Sequence, residues 1–297
     1  MNERTWSVDE PLTIEFDGLS EVRLALVKGR FDIVVTESPV ATLEISEVEG
    51  QPLDVTFADG VLKVEHFNAA NWLTRLINFQ STARAVMSIA VPPGTTVNAA
   101  TVNGDGMVSG SHKTTLRTVS GSLMSDATHG MLSLDTVSGE IIARNHTGHL
   151  AAKSVSGEVT ASGWLDSIRA STVSANATFD VFGTPSSLVA KSVSGDITVR
   201  LPQTVGVAVT ASSASGVVVV GEDRFSNPGQ TTHTSAGAKA PRLEVRTSTI
   251  SGNLSVLFAE PADDGMAAGS AENGPADVGP GDGEPGDGGF NESGEGS

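Results

Sequence analysis

A row of acidic side chains is the feature of this chain best suited to chemistry. Asp105, Glu140, Glu158 and Asp196 each stand directly after a glycine that ends a short repeated motif. Like charges on neighbouring turns of a repeat protein repel at short range, so a row of carboxylates is suited to holding a cation or a basic partner. These four residues are named the acidic column.

A second column of mostly charged side chains precedes the first. Four residues before the end of successive motifs stand Arg117, Asp135, Lys153, Ser171 and Lys191. Exposed side chains of opposite sign favour solvated ion pairs between the two columns, and such pairs also discourage edge-to-edge aggregation. The main interpretation is therefore a network of ion pairs, and a cation or ligand site is the alternative.

Three histidines recur at the same spacing. His112, His129 and His146 are each 17 residues apart, so they could occupy one turn on consecutive coils and bind zinc. No fixed Cys/His motif accompanies them. We expect exposed turn residues that are copied with the repeat rather than a metal site.

A glycoside hydrolase would need two carboxylates facing a sugar. Glu140 and Glu158 lie one repeat apart, closer than the ~6.5–9.5 Å of inverting enzymes and only marginal for the ~5–5.5 Å of retaining ones. Tyr is absent and Trp164 is the one tryptophan of the repeats, so aromatic sugar platforms are scarce. The chain also lacks a Gly-x-Ser-x-Gly nucleophile motif. We expect no catalytic residue, cofactor or metal, and keep a carbohydrate-binding or carbohydrate-active β-helix protein as the alternative function.

These residues are placed by a repeated motif of four residues, Thr/Ser-Val-Ser-Gly. With small changes it occupies residues 101–104, 118–121, 136–139, 154–157, 172–175 and 192–195, and weaker copies follow at 213–216 and 249–252. A period of 17 to 20 residues is too short to fold alone, so each copy must bury its apolar face against the next. Abundant Val, Thr, Ser and Gly predict short strands stacked as coils of a parallel β-solenoid.

The columns of each repeat predict an inner face. Seven, five and three residues before the motif's fourth position the side chains are apolar or small, and another apolar column lies two residues after it. The motif's second residue is apolar too, so we expect Val155 to be buried beside Ile141. A glycine at the corner indicates either a positive φ or a lack of room for a Cβ. Inward Thr and Ser hydroxyls could form ladders between coils.

Composition limits the partners and the compartment. The chain has no Cys, which excludes disulfides and thiolate chemistry. The formal charge is −17, so binding to nucleic acid is not expected. Residues 260–297 hold ten acidic residues and no basic one, and their Gly- and Pro-rich composition predicts a disordered tail. No signal peptide or membrane span is evident, so we expect a cytoplasmic protein, with a peripheral position at the inner membrane face as an option.

One segment departs from the β pattern. The apolar residues Trp72, Leu73, Leu76, Ile77 and Phe79 follow a mostly helical spacing. We predict that this segment caps an open end of the core, because stacked β folds need protected ends. Contact with a membrane or a partner is the alternative.

The repeat units resemble a known family. The early strands, the Val-Pro-Pro-Gly step at residues 91–94 and the repeated Thr-Val-Ser-Gly-Glu/Asp-Ile/Val units are similar to the bacterial putative-adhesin family of β-strand-repeat domains of unknown function, which is related to toast-rack domains. The resemblance spans roughly residues 22–258. It implies a β-solenoid without established catalytic residues. Toast-rack relatives occur in envelope-stress systems as scaffolds near the membrane, which implies a similar role here.

We therefore predict an all-β protein with three regions. Residues 1–91 form an N-terminal β-strand region continuous with the solenoid, residues 92–259 form coils of about 18 residues, and residues 260–297 form the tail. The main functional hypothesis is a non-enzymatic scaffold or adhesin-like interaction protein in envelope-associated assembly. Its repetitive surface would serve protein partners or self-association, through the acidic column or the segment at residues 72–79.

Overall fold

The protein is a parallel β-solenoid built from two sheets, as the repeats predict. The structure, a computed structural model, describes residues 3–66, 83–226, 228–234 and 242–259. Within these ranges the regular secondary structure consists of β-strands. No helix in them has the length and apolarity needed to cross a membrane. The predicted cap at residues 72–79 and the predicted tail at residues 260–297 lie outside the described residues.

The described strands fall into three groups along the chain. Those before the repeats are β1 (Arg4–Val8), β2 (Leu12–Asp17), β3 (Glu21–Val35), β4 (Val40–Glu49), β5 (Leu53–Ala58), β6 (Val61–Glu65) and β7 (Arg84–Val91). Those of the main repeats are β8 (Thr96–Ser109), β9 (His112–Thr118), β10 (Leu123–Asp126), β11 (His129–Thr136), β12 (Ile141–Ser154), β13 (Val159–Thr172), β14 (Ala177–Val181), β15 (Ser187–Ser192) and β16 (Ile197–Pro202). The last are β17 (Gly206–Ser213), β18 (Val218–Val220), β19 (Asp223–Phe225), β20 (Gly229–Thr234), β21 (Arg242–Thr249) and β22 (Leu254–Ala259).

Each coil crosses from sheet 1 to sheet 2 at the four-residue motif. Sheet 1 has the strand order β1-β5-β6-β3-β8-β9-β11-β12-β13-β15-β21-β17-β20. Sheet 2 has the order β2-β4-β7-β3-β8-β10-β12-β13-β14-β16-β22-β18-β19. The long strands β3, β8, β12 and β13 bend and contribute to both sheets, so the parallel coils begin before residue 92.

Neighbouring coils pair in parallel with equivalent repeat positions side by side. In sheet 1 Leu134 pairs with Ala152, and in sheet 2 Ile141 pairs with Val159. All four side chains are buried in one continuous core that runs between the two sheets. The inward columns at seven, five and three residues before the motif's fourth position, and at two residues after it, are thus confirmed.

Antiparallel strands close both ends of the solenoid. At one end β5 and β1 follow β6, and β4 and β2 follow β7; at the other end β20 pairs with β17 and the three-residue β19 pairs with β18. Trp6, Phe16 and Phe57 pack together at the first end, with ring centroids 5.8 and 5.0 Å apart. Short terminal strands limit further strand addition.

The order of coils in space differs from their order in the chain at both ends. The β3 coil lies between β6–β7 and β8, although β6 and β7 come later in the sequence than β3. Near the other end β21 and β22 fill the layer between β15–β16 and β17–β18. The last strands described are therefore held by neighbours on both sides.

The prediction that the motif's second residue is buried is wrong. Val155 is 46% exposed, and Val173 and Val193 are exposed in the same way, whereas Ile141 is fully buried. The strand alternation continues into the corner: the first motif residue, such as Ser154, faces the core, so the next one faces solvent. The corner then places two consecutive residues outside before the fourth residue, Gly157, returns inward.

The close approach of successive coils favours glycine at the corner, although Ala175 occupies the equivalent position in one coil. A Cβ built on Gly157 would lie 2.0 Å from the carbonyl oxygen of Gly139, and one on Gly121 would lie 1.9 Å from that of Gly104. Neither Gly157 nor Gly121 has a positive φ, so of the two predicted reasons the lack of room is the one that applies. The turn on the opposite side does use positive φ, at Gly130 and at Asn145.

The inner and outer positions predict different costs of truncation. Ile141→Ala should lower the free energy of unfolding by about 2–5 kcal/mol, because it removes buried methyl groups and leaves a cavity. Val155→Ala should cost less than about 1 kcal/mol, because its side chain is half in solvent already. Denaturant titrations of both variants test this, and equal losses would contradict the described orientation of the corner.

The packing of the corners predicts that Gly157→Ala destabilises the protein. The new methyl group would push against the backbone of the Gly139 coil, and overpacking of this kind costs about 1–3 kcal/mol. The matched control is Ala175→Gly, at the equivalent position of the next coil, which should change stability by no more than about 1 kcal/mol. A Gly157→Ala protein with wild-type stability in the same titration would be inconsistent with the contact.

Candidate interaction surface

Buried hydroxyls hold each corner in shape. The Oγ1 of Thr136 donates to the carbonyl of Gly139 at 2.7 Å, and the Oγ1 of Thr118 donates to that of Gly121 at 3.1 Å. Equivalent bonds are made by Ser154, Ser192, Ser213 and Thr249. These bonds lie within one coil, so the predicted ladder between coils is reduced, among the described residues, to the bond of Thr172 to Ser192 at 3.1 Å.

The motif's third residue ties each corner to the coil before it. The amide and the Oγ of Ser138 both donate to the carbonyl of Val119, at 2.8 and 2.9 Å. Ser156 makes the same pair of bonds to the carbonyl of Val137. These bonds hold successive corners together while the valine side chains lie on the outer edge.

The result is an exposed apolar row along one edge of the solenoid. This valine stripe consists of Val102, Val119, Val137, Val155, Val173, Val193 and Ile250. Val102, Val119 and Val137 are half-buried, Val155, Val173 and Val193 are 42–46% exposed, and Ile250 is 59% exposed. With coils ~4.8 Å apart the seven positions span about 29 Å. The sequence pattern did not predict this surface, because an apolar residue at the motif's second position is indistinguishable by type from a core residue.

The acidic column lies on the sheet 2 side of the valine stripe, and its aspartates and glutamates differ in their contacts. Asp196 accepts hydrogen bonds from the backbone N–H and the Nδ2 of Asn253 at 2.9 and 2.8 Å. Asp105 accepts one from the N–H of Ser122 at 3.0 Å. Glu140 and Glu158 make no side-chain hydrogen bond or ion pair within the described residues. The two aspartates therefore join coils, and the two glutamates face solvent.

The mixed column lies on the opposite side of the valine stripe, in sheet 1. Arg117 pairs with Asp135 of the next coil at 3.2 Å. Lys153 and Lys191 are exposed and have no ion-pair partner among the described residues. The expected ion pairs between the two columns do not form in the described part of the chain, because the corner separates the columns. One edge of the protein thus has an apolar centre, a basic flank and an acidic flank.

Two of the grooves in the described part of the chain touch the valine stripe or the acidic column. One, of about 380 Å³, runs from Lys153 and Ser171 to Val155 and Val173. The other, of about 260 Å³, lies on the acidic flank and brings Asp105 and Glu140 together with Arg30. Arg30 pairs with Asp32 at 3.1 Å, and its positive charge disfavours a cation in that groove. No group of three or more His, Asp or Glu side chains able to hold a metal occurs in the described ranges.

The histidines do not share one position. His112 and His129 pair on neighbouring coils, whereas His146 is fully buried. The Nδ1 of His146 lies 3.0 Å from both the hydroxyl and the carbonyl oxygen of Thr128. Burial lowers the pKa of His146, more than its hydrogen bonds to the carbonyls of His149 and Thr128 raise it. His146 is therefore a hydrogen-bonded core residue, and the three histidines do not converge on a metal within the described ranges.

The acidic column predicts unequal effects of removing its carboxylates. Asp196→Ala should lower the free energy of unfolding by about 1 kcal/mol, because the backbone N–H of Asn253 loses its acceptor. Glu158→Ala should change it by less than about 0.5 kcal/mol, since its carboxylate has no partner in the described structure. Urea titrations of the two variants compare them directly, and a loss at Glu158 as large as that at Asp196 would show that the glutamate has a structural role after all.

Comparison with solved structures finds matches of low sequence identity and low overall superposition. A structure described as a putative lipid binding protein from Parabacteroides distasonis ATCC 8503 is 14% identical, with a TM-score of 0.47, and covers 86% of this chain and 98% of its own. A putative cell adhesion protein from Clostridium sporogenes ATCC 15579 is 12% identical, with a TM-score of 0.29, and covers 84% and 100%. A putative adhesin from Bacteroides fragilis NCTC 9343 is 12% identical, with a TM-score of 0.30, and covers 86% and 96%.

The family assignment comes from the sequence itself. A comparison with curated proteins gives no significant match. The family model Toastrack DUF4097 matches residues 31–257, which include the repeats and most of the strands before them. The matched region is the two-sheet solenoid with its valine stripe, and it extends over more than half of the sequence. The chain belongs to the Toastrack DUF4097 family, whose function is unknown.

Proposed function

We propose that this protein is a non-enzymatic scaffold that binds protein partners through the valine stripe. The observation that supports the proposal is the row of β-branched side chains along one edge, of which Val155, Val173, Val193 and Ile250 are exposed on four neighbouring coils. Monomeric proteins rarely expose a long contiguous apolar surface, and such surfaces are typical of interaction sites. A position at the inner membrane face, as in the scaffolds that the family resemblance implies, is part of the proposal.

The rigidity of the stripe supports a binding role. Val119, Val137, Val155, Val193 and Ile250 are each flanked by a buried hydroxyl residue and a serine whose hydroxyls both donate to backbone carbonyls. A β-branched side chain in a fixed backbone has few rotamers to lose when a partner covers it. Binding would therefore cost little conformational entropy, which raises the affinity obtained from a modest apolar area.

The arrangement of carboxylates favours a scaffold over a hydrolase. Glu140 and Glu158 stand on adjacent coils at an exposed edge, and the described residues around them form no enclosed substrate site. Both side chains are exposed, whereas the general acid of a glycoside hydrolase lies in a protected site. These features support a role without catalysis.

A second candidate function is carbohydrate binding, and one observation favours it. Trp164 is 61% exposed on β13, and the exposed Phe182 follows the neighbouring strand β14, with its amide bonded to the carbonyl of Gly163. Two aromatic side chains on adjacent coils can offer stacking faces to a sugar. This site lies at the turn opposite the valine stripe, so the two hypotheses can be tested by separate variants.

The test of the scaffold proposal is proximity labelling in the native cell with a stripe variant. Val155→Ser, Val173→Ser and Val193→Ser are combined, and the matched control combines Thr160→Ser, Thr178→Ser and Thr198→Ser on the sheet 2 face of the same coils. The stripe variant should keep its melting temperature and lose its specific protein neighbours, whereas the control keeps them. Unchanged neighbours in the stripe variant would refute the proposal. A glycan array compared with Trp164→Ala tests the second candidate.

A further inference from the structure

We propose that the partner of the valine stripe is a second copy of this chain, lying side by side with the first and with the two solenoid axes parallel. The inference rests on the proposed function, because it names the partner of the same surface. It is supported by the distribution of charge on either side of the stripe and by the closed ends of the solenoid.

The flanks of the stripe carry opposite charge on the same coils. Lys153 stands two residues before Val155 on the sheet 1 side, and Glu158 stands three residues after it on the sheet 2 side. Lys191 and Asp196 are placed in the same way around Val193. All four charged residues are exposed, and neither lysine has an ion-pair partner within the described ranges. The edge is thus polarised across its width.

An edge with opposite charges on its two flanks can match a second copy of itself when the twofold axis runs along the stripe, but not when the axis runs across it. Closed dimers use the same patch on both copies, related by a twofold rotation. If the axis runs along the stripe, the basic flank of one copy faces the acidic flank of the other at the same height. Lys153 then faces the partner's Glu158, and Lys191 faces the partner's Asp196. An axis across the stripe would place basic flank against basic flank, which electrostatic repulsion disfavours.

The remaining coils are compatible with this arrangement. On the neighbouring coils the corresponding positions are Ser171 and Asn176, which carry no charge, and Arg117 and Ser122. One unfavourable approach remains, that of Asp135 to the partner's Glu140. Asp135 is already paired with Arg117 at 3.2 Å, and this bond reduces the repulsion.

The structure of the solenoid ends favours side-by-side association over end-to-end stacking. Antiparallel strands follow the parallel coils at both ends, and the outermost strand of sheet 2 beyond β18 has three residues. These strands do not continue the parallel register that end-to-end stacking of coils would need. The stripe, in contrast, is continuous across seven coils.

The size of the edge predicts a weak dimer. The stripe is about 29 Å long, and the five residue steps from Lys153 to Glu158 span about 17 Å of chain. The contact area is therefore about 500 Å² per copy, at the lower limit for a specific interface. We expect reversible dimers in the micromolar range that weaken as salt is added, because the flanking pairs are solvent-exposed.

Single cysteines test the parallel arrangement, since the natural chain contains none. With a twofold axis along the stripe, every stripe residue lies opposite its own equivalent. Val119→Cys, Val155→Cys and Val193→Cys should therefore each form a disulfide-linked dimer of the full chain under mild oxidation, whereas Thr178→Cys on the sheet 2 face should not. Cross-linking at one stripe position alone would indicate an antiparallel dimer, and equal cross-linking at Thr178→Cys would indicate random collision. Either result overturns the proposal.

Charge reversal tests the flanks independently by sedimentation equilibrium. Lys153→Glu and Glu158→Lys should each weaken dimerisation at least about tenfold, and the double variant should restore it to within about threefold of wild type. Melting curves check that each variant is folded. A chain that stays monomeric up to about 100-fold above the expected micromolar range overturns the self-association, while loss of protein neighbours in the stripe variant would still support the scaffold function with another partner.

Discussion

The close approach of backbones at the corners is the constraint on which the rest of this structure depends. Successive coils come so near at the motif's fourth residue that a Cβ on Gly157 would fall 2.0 Å from a carbonyl oxygen. A corner this tight turns the chain from sheet 1 to sheet 2 within two outward residues. The first motif residue is then forced inward, where its hydroxyl satisfies the corner carbonyl, and the second is forced outward. A binding edge lined by valines thus arises from the same geometry that keeps the coils in register.

The alternation of side chains made most of the fold predictable, and the corner is where that prediction failed. Leu134 and Ile141 stand within strands, so period two assigns them to the core correctly. Val155 has the same chemistry but lies past the strand end, where an apolar residue is favoured by β propensity without being buried. Composition could not distinguish these cases. The order of coils could not be predicted either, because nothing in the motif at residues 249–252 indicates that β21 and β22 lie between strands that come earlier in the sequence, β15–β16 and β17–β18.

The acidic column shows how side-chain length decides a residue's role in a repeat. A carboxylate on the short side chain of Asp196 reaches the backbone N–H of the next coil, and Asn253 continues the same pattern toward the N–H of Val217. The longer side chain of Glu158 extends past that N–H into solvent. The two residue types occupy one column in the sequence and differ in function, so the sequence could locate the column but not divide it. The division leaves the glutamates available for intermolecular contacts.

The order of strands near the ends of the solenoid stabilises the end coils. In a solenoid with sequential coils each new coil stabilises only the one before it, and the last coil is free to fray. Here the layer of β21 and β22 contacts β15 and β16 on one side and β17 and β18 on the other. The coil of β17 and β18 can therefore join the parallel stack only after the last described strands have arrived. Such long-range pairing slows folding, because the closure entropy is lost before the contacts form. In return, both ends are held by residues distant in sequence.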